Sequence, residues 1–256
     1  MPKVKTKDKN AVLGIDIGGT GMKGAPVDIE KGVLLDDRFR IDTPHPPRPE
    51  PMLSVIGQII EHFKWTGRVG CGFPGVMKKG EVFTAANLSK KWIGVNIRDE
   101  IDKMSSCEAA VINDADAAGL AEMKFGAGKE RNGKGGGVVV MVTLGTGIGT
   151  AVFADGQLVH NTELGHIEIE GKDAEKRAAA SRKEKDNLSW KKWGKKVNKY
   201  LQTMEMLLSP DLFIIGGGVS KKPERFFKYI DVRAELVAAS MHNEAGIVGA
   251  ALAIKL

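Results

Sequence analysis

Residues Val12–Gly24 read VLGIDIGGTGMKG: an apolar run through Ile17, a Gly18-Gly19-Thr20-Gly21 turn, and a second stretch that returns from Met22. The same design recurs at Val138–Asp155, VVVMVTLGTGIGTAVFAD. The β-branched and apolar runs on both sides of each turn are strand-like. Glycine removes the side chain that would block close approach, so backbone N–H groups of such a turn can close around an anion. One turn of this kind is equally well a tight hairpin, and Gly18, Gly19 and Thr20 admit that reading. Two turns, each with Thr after Gly (Thr20, Thr146), point to a phosphate chain gripped from both sides of a cleft.

Outward from these turns, strands and helices alternate. Strands are predicted over Val12–Ile17, Lys23–Val27, Arg68–Phe73, Glu108–Ile112, Gly137–Leu144, Gly149–Ala154 and Leu212–Ile215. Helices are predicted over Met52–Phe63, Ala115–Lys124, Ala174–Arg182, Ser189–Leu208 and Asn243–Ile254. Thr43–Pro51 holds five prolines in nine residues and reads as an extended connector. Alternation of this kind implies an α/β architecture, and the repeated strand–turn–strand opening implies two related domains with a cleft between them.

The composition narrows the class. With 256 residues there is length for one large or two small domains. A hydrophobic share of 42% beside 27% charged residues is ordinary for a water-exposed globular chain, and no apolar stretch is long enough to span a bilayer. The opening MPKVKTKDKN has no apolar segment behind it, so it reads as a solvated tail rather than a secretory signal. Two cysteines, Cys71 and Cys107, make no disulfide framework and fit a reducing cytoplasm; Cys71 reads as a buried small apolar residue. No Cys/His cluster has zinc spacing. A net charge of +6 implies acidic partners. Nucleic acid is not favoured, because aromatic residues are 6% and no nucleic-acid-binding signature occurs.

Several residues carry candidate chemistry. Asp16 precedes the first turn by two residues, and a carboxylate beside a phosphate loop suits Mg²⁺, which prefers oxygen ligands. Lys23 either reaches a phosphate oxygen or lies in solvent. Asn113-Asp114 ends one strand and opens a helix. Asp114 there is either an N-cap or a general base at a strand's carboxyl end. Asn161–Glu168, NTELGHIE, gathers amide, carboxylate and imidazole groups of the kind that bind polyols, with Glu163 and His166 three apart.

LGIDIGGTGMKG, GFPG at Gly72–Gly75, INDADAAGLAE at Ile112–Glu122, LGTGIGTA at Leu144–Ala151, ELGH at Glu163–His166 and PDLFIIGGG at Pro210–Gly218 occur in one order. Together they resemble the ROK family of sugar kinases, over the chain from Ala11 to its end. The resemblance implies an actin-like (ribonuclease H-like) two-domain ATPase fold with a central cleft. The smaller domain would hold 11–113 with a helix at 243–256, and the larger 114–242. The Cys-rich zinc motif usual after ELGH is absent, and GKDAEKRAAASRKEKDNLSWKKW (171–193) stands in its place. That segment, with NLSKKWIGVN at Asn87–Asn96, resembles the family's polyphosphate glucokinase branch.

By residue, the resemblance implies that Asp114 is the catalytic base and that Asn87, Asn113, Asp114, Glu163, His166 and Glu175 bind the sugar. Gly18, Gly19, Thr20, Thr146 and Gly147 would form the phosphate loops, Gly217 and Gly218 would face a nucleotide, and Asp16 would be linked to Mg²⁺. The implied reaction is phosphoryl transfer from inorganic polyphosphate, with ATP as a further or alternative donor, to the 6-hydroxyl of glucose. A cytoplasmic homodimer is the implied setting. The competing classes are an ATP-dependent hexokinase and a sugar-responsive regulator or sensor. ROK-type repressors carry a DNA-binding domain ahead of the kinase-like part, and only about ten residues precede the first strand here.

At 100° per residue, Trp190, Trp193, Val197, Leu201, Met204 and Leu208 fall on one side of the helix. Lys191, Lys192, Lys195, Lys196 and Lys199 lie opposite, within an arc of roughly 140°. This face is either a solvated surface or a track for a long polyanion, bound by displacement of counterions. Lys183 and Lys185 would extend such a track.

Overall fold

The computed structural model describes residues 9–85 and 88–256. The chain forms two compact units, one of residues up to Ala121 with Asn243–Leu256, the other Glu122–His242.

In the first unit, β1 (Ala11–Ile17) turns at Gly18–Thr20 into β2 (Gly21–Asp28), with Ile17 opposite Met22 and Asp16 opposite Lys23. Two short strands, β3 (Val33–Leu34) and β4 (Phe39–Asp42), pair with the far side of β2. Helix α1 (Pro49–His62) leads to β5 (Val69–Phe73), which lies parallel to β1. After the small hairpin β6 (Met77–Lys78) and β7 (Glu81–Val82) comes α2 (Ile97–Met104). Strand β8 (Ala109–Asn113) then pairs parallel with β5, and α3 starts at once (Asp114–Phe125). The sheet order is β3-β2-β1-β5-β8, with β4 beside β2. Ile15, Ile17, Met22, Ile56, Ile59, Cys71 and Phe73 are fully buried in its core.

The second unit repeats the opening hairpin. β9 (Val138–Leu144) turns into β10 (Ile148–Ala154), which pairs with β11 (Gln157–Val159). A hairpin of β12 (Glu168–Ile169) and β13 (Lys172–Asp173) precedes helices α4 (Glu175–Ala178), α5 (Ala180–Lys185) and α6 (Trp190–Leu208). Strands β14 (Leu212–Gly216) and β15 (Glu235–Ala238) complete the order β11-β10-β9-β14-β15. The apolar side of α6 is buried as its periodicity requires, with Trp193, Val197, Leu201 and Met204 in the core. The chain ends, in the first unit, with α7 (Ala245–Leu252) and a 3-10 turn at Ala253–Lys255.

Three expectations change. The connector stops at Arg48, because Pro49 and Pro51 sit in the first turn of α1, where a missing N–H has no intrahelical role. The helix expected over Ala174–Arg182 is broken at Ala179, whose ψ is 150°. The Trp193 indole N–H donates to the carbonyls of Ala178 (2.9 Å) and Ala179 (3.2 Å), which stabilises the break. The cap of α3 is Asn113 rather than Asp114: the Asn113 amide oxygen accepts the N–H of Ala115 at 2.8 Å and of Asp116 at 3.0 Å.

Small residues allow α7 to lie directly on the first sheet. A Cβ on Gly14 would stand 2.0 Å from the Ile247 carbonyl oxygen, and one on Gly70 would stand 1.8 Å from that of Ala250. Cys71 is buried beside Cys107, and burial first, then that neighbour, pushes its thiol up to about 12. It is an inert core residue, as its sequence context suggested.

Candidate active site

In the first unit the candidate groups gather at the carboxyl ends of β1 and β8. Gly19 and Thr20 are exposed at the β1–β2 turn, and a Cβ on Gly19 would meet nothing within 4 Å. The turn is held by Thr43, whose hydroxyl donates to the Gly18 carbonyl at 2.5 Å. Neither Gly18 nor Gly19 has positive φ, so here glycine supplies open backbone rather than a left-handed dihedral. Asp16 is half-buried, with Oδ2 3.5 Å from the Lys23 ammonium. Across the hairpin, Lys23 therefore pairs with Asp16, an arrangement between the two readings its sequence position allowed. The Asp16 carboxylate lies against Gly246 of α7, where a Cβ would stand 2.8 Å from its carboxyl carbon.

Asn113 is buried, and its amide N–H₂ donates to the Gly75 carbonyl at 3.1 Å, tying the GFPG turn to the start of α3. Asp114 stands half-buried at the first position of α3, at the carboxyl end of the parallel strand β8, and its Oδ1 accepts the Ala115 N–H at 2.8 Å. Asn87 lies outside the described residues.

In the second unit, the β9–β10 turn and the ELGH segment share one framework. The Gly145 N–H donates to the Gly147 carbonyl at 3.0 Å. Ser181 of α5 reaches back to this turn, its N–H to the Gly145 carbonyl (3.0 Å) and its hydroxyl to that of Thr146 (2.6 Å). The Glu175 carboxylate accepts the Ile148 N–H at 2.9 Å and occupies the space a Cβ on Gly147 would need. Thr150 and Thr162 bond each other's backbone, and the Thr150 hydroxyl accepts the Leu164 N–H at 3.2 Å, which fixes the approach to Glu163. Gly165 is required here, since its Cβ would stand 2.0 Å from the Ile148 carbonyl oxygen.

His166 then sits between carboxylates. Its Nδ1 is 2.9 Å from Asp173 Oδ2, and its Nε2 is 3.9 Å from Glu163 Oε2. The Asp173 hydrogen bond, followed by the charges of Glu175, Asp173 and Glu163, raises the imidazole pKa against the opposing effect of burial. Glu163 is also raised: burial leads, the Glu175 charge adds, and His166 opposes. Asp173, Ser181, Thr150 and Thr162 are the residues that sequence reading missed. Their partners lie 7 to 35 positions away, beyond any local spacing rule.

Gly217 has φ of +82° and would place a Cβ 2.2 Å from the Leu144 carbonyl oxygen, so the fold itself requires glycine there. Gly218 opens a 3-10 turn, and a Cβ there would meet nothing within 4 Å. On α6, Lys191, Lys192, Lys195 and Lys199 are exposed and Lys196 is half-buried. Lys199 also lies 3.7 Å from Glu170. Among the described residues, no group of three or more His, Cys, Asp or Glu could hold a metal ion unaided, and no helix is long and apolar enough to cross a membrane.

Two hairpin-headed α/β units with open glycine turns, a carboxylate at a strand end and an ELGH turn define a sugar-kinase architecture. The ROK family model matches residues 12–178, and the chain belongs to the ROK family, with its actin-like fold. Among curated proteins it is similar to the polyphosphate glucokinases of Mycobacterium leprae and Mycobacterium tuberculosis. The first is 46% identical over 97% of this chain and 76% of that protein. The second is 46% identical over 94% of this chain and 90% of that protein. Among solved structures it is similar to the inorganic polyphosphate/ATP-glucomannokinase of Arthrobacter sp. strain KM, with a TM-score of 0.91 and 44% identity over 96% of this chain and 99% of that one. A ROK family glucokinase from Streptomyces griseus shares the fold at a TM-score of 0.82 and 24% identity, over 96% of this chain and all of that one.

Proposed function

We infer that the chain is a phosphotransferase that moves a phosphoryl group from inorganic polyphosphate to the 6-hydroxyl of glucose, giving glucose 6-phosphate. ATP serves as a further donor, since the Arthrobacter relative is named for both polyphosphate and ATP. The observation that carries the reading is the 46% identity to polyphosphate glucokinases over nearly the whole chain.

Phosphoryl transfer needs positioning and charge neutralisation more than covalent help. In the first unit, Asp114 takes the role of general base: it accepts the proton of the attacking 6-hydroxyl. Asn113 makes the cap bonds to Ala115 and Asp116, and Asp114 Oδ1 also accepts the Ala115 N–H at 2.8 Å, which fixes the carboxylate at the strand end in support of that role. The open backbone at Gly19 and the Thr20 hydroxyl offer donors to a donor phosphate, and Lys23 adds charge. In the second unit, Thr146 and Gly147 offer the matching turn, with Gly217 and Gly218 beside a nucleotide when ATP is the donor. Glu163 and His166 hold sugar hydroxyls, and Glu175 braces the β9–β10 turn of the same unit, while Asn113 braces the GFPG turn of the first.

Mg²⁺ is the cation that fits. A single half-buried carboxylate, Asp16, beside an open turn suits an ion that binds one or two carboxylates and otherwise keeps waters and substrate phosphates. Bound there, it would neutralise charge on the donor phosphates. Purified protein with Mg²⁺, glucose and long-chain polyphosphate should make glucose 6-phosphate; absence of that product refutes the reading.

A further inference from the structure

We propose that Asp173 is a positioning residue for sugar recognition, fixing the His166 ring so that one sugar hydroxyl accepts from Nε2 and donates to Glu163. This inference rests on the reading that His166 and Glu163 bind the sugar.

The geometry defines a three-membered relay. Asp173 Oδ2 stands 2.9 Å from Nδ1, hydrogen-bonding distance. On the other edge of the ring, Nε2 and Glu163 Oε2 are 3.9 Å apart, too far for a direct bond. A hydroxyl oxygen at about 2.8 Å from each closes that gap. Asp173 is itself held: its Oδ1 accepts the Lys176 N–H at 3.3 Å, and the β12–β13 hairpin sets it opposite Glu168. The carboxylate therefore presents a fixed acceptor to Nδ1 and keeps a proton there.

Proton placement decides what Nε2 can do. With Nδ1 protonated by virtue of Asp173, a neutral ring has only a lone pair at Nε2. A sugar hydroxyl then has one proton for two acceptors, Nε2 and Glu163, and one of them goes unmet. In the imidazolium form, Nε2–H donates to the hydroxyl oxygen and the hydroxyl proton goes to Glu163, so every group is matched. The charged groups facing His166 are Glu163 on its own turn, Asp173 on β13 and Glu175 on α4, with Lys176 acting on Asp173. All three carboxylates favour the imidazolium. Burial pushes the Asp173 carboxyl up, but the His166 and Lys176 contacts outweigh it and hold the carboxyl below its usual range, as an ionised partner requires.

The test combines histidine NMR with glucose kinetics on the full-length protein. In the wild type, the neutral His166 ring should carry its proton on Nδ1, and the KM for glucose should rise as pH passes the His166 pKa. Asp173→Asn removes the charge and leaves a single amide oxygen for the two N–H groups, His166 Nδ1–H and the Lys176 N–H, that Oδ2 and Oδ1 meet in the wild type. It should lower the His166 pKa, move the rise in KM to lower pH, and weaken glucose KM roughly tenfold near neutral pH, the size of one charge-assisted hydrogen bond. The effect should fall on KM more than on kcat. A wild-type neutral ring protonated on Nε2, or an Asp173→Asn variant with an unchanged His166 pKa and KM profile, overturns the proposal. Failure of the wild type to phosphorylate glucose would refute the enzyme reading instead, and the NMR arm would still decide whether Asp173 sets the ring.

Discussion

Asp114 was open to two readings in the sequence, cap or base, and the Asn113 amide oxygen takes the cap bonds from Ala115 and Asp116, which favours the proposed base. Asp114→Asn should therefore cut kcat by about a thousandfold or more, the upper range for a general base, while leaving glucose affinity within a few-fold. Turnover kinetics beside calorimetric binding checks this, and retained turnover would move the base elsewhere. Glycines divide in the same way between ligand access and packing. Gly19 faces open space, whereas Gly70 meets the Ala250 carbonyl. Gly70→Ala should cost more than about 2 kcal/mol by overpacking, read as a lower denaturation midpoint. Gly19→Ala should leave that midpoint nearly unchanged. The strand-end Asp and the ELGH pair stood out in the sequence as candidates because their groups lie side by side or three apart, and the family resemblance supplied the roles proposed for them. Asp173 and Ser181 were not, because each matters through a partner brought near only by folding.

Among the elements, the central strands and α6 were legible from period and β-branching. The hairpins β6–β7 and β12–β13, the short strands β3, β4, β11 and β15, and helix α2 were not. The two hairpins have strands of two residues, too short to display an alternation. Helix α6 carries two predictions. Glu205, near its end, accepts the N–H groups of Arg233 (2.7 Å) and Ala234 (2.8 Å). Burial pushes this carboxyl up, but those bonds and the Arg233 guanidinium outweigh it and lower the pKa. Its contribution to stability is thus complete above the unfolded value of about 4.3 and is lost as pH falls through the lower folded value. Glu205→Gln should lower the Tm at neutral pH, with the gap to wild type closing below about pH 4. A constant gap across pH would contradict this. On the opposite face, changing Lys191, Lys192, Lys195, Lys196 and Lys199 to Gln should weaken kcat/KM for long polyphosphate and flatten its salt dependence. ATP use should change little. Equal effects on both donors would return this face to a plain solvated surface.

For the whole molecule, the paired glycine turns carried the fold: each proved to be a β-hairpin heading its own sheet, β1–β2 in one unit and β9–β10 in the other. The family followed from motif order, and the ROK match bears it out. What a sequence holds least well is donor choice, since in the proposed reading polyphosphate and ATP would present the same phosphates to the same turns. The most direct measurement is kcat/KM for long-chain polyphosphate and for ATP, with glucose and Mg²⁺, at low and high salt. The polyphosphate assignment requires a preference for polyphosphate that falls steeply with salt, as binding of a polyanion by counterion release must. Equal or better use of ATP, with little salt dependence, would contradict it and make the chain an ATP-dependent hexokinase.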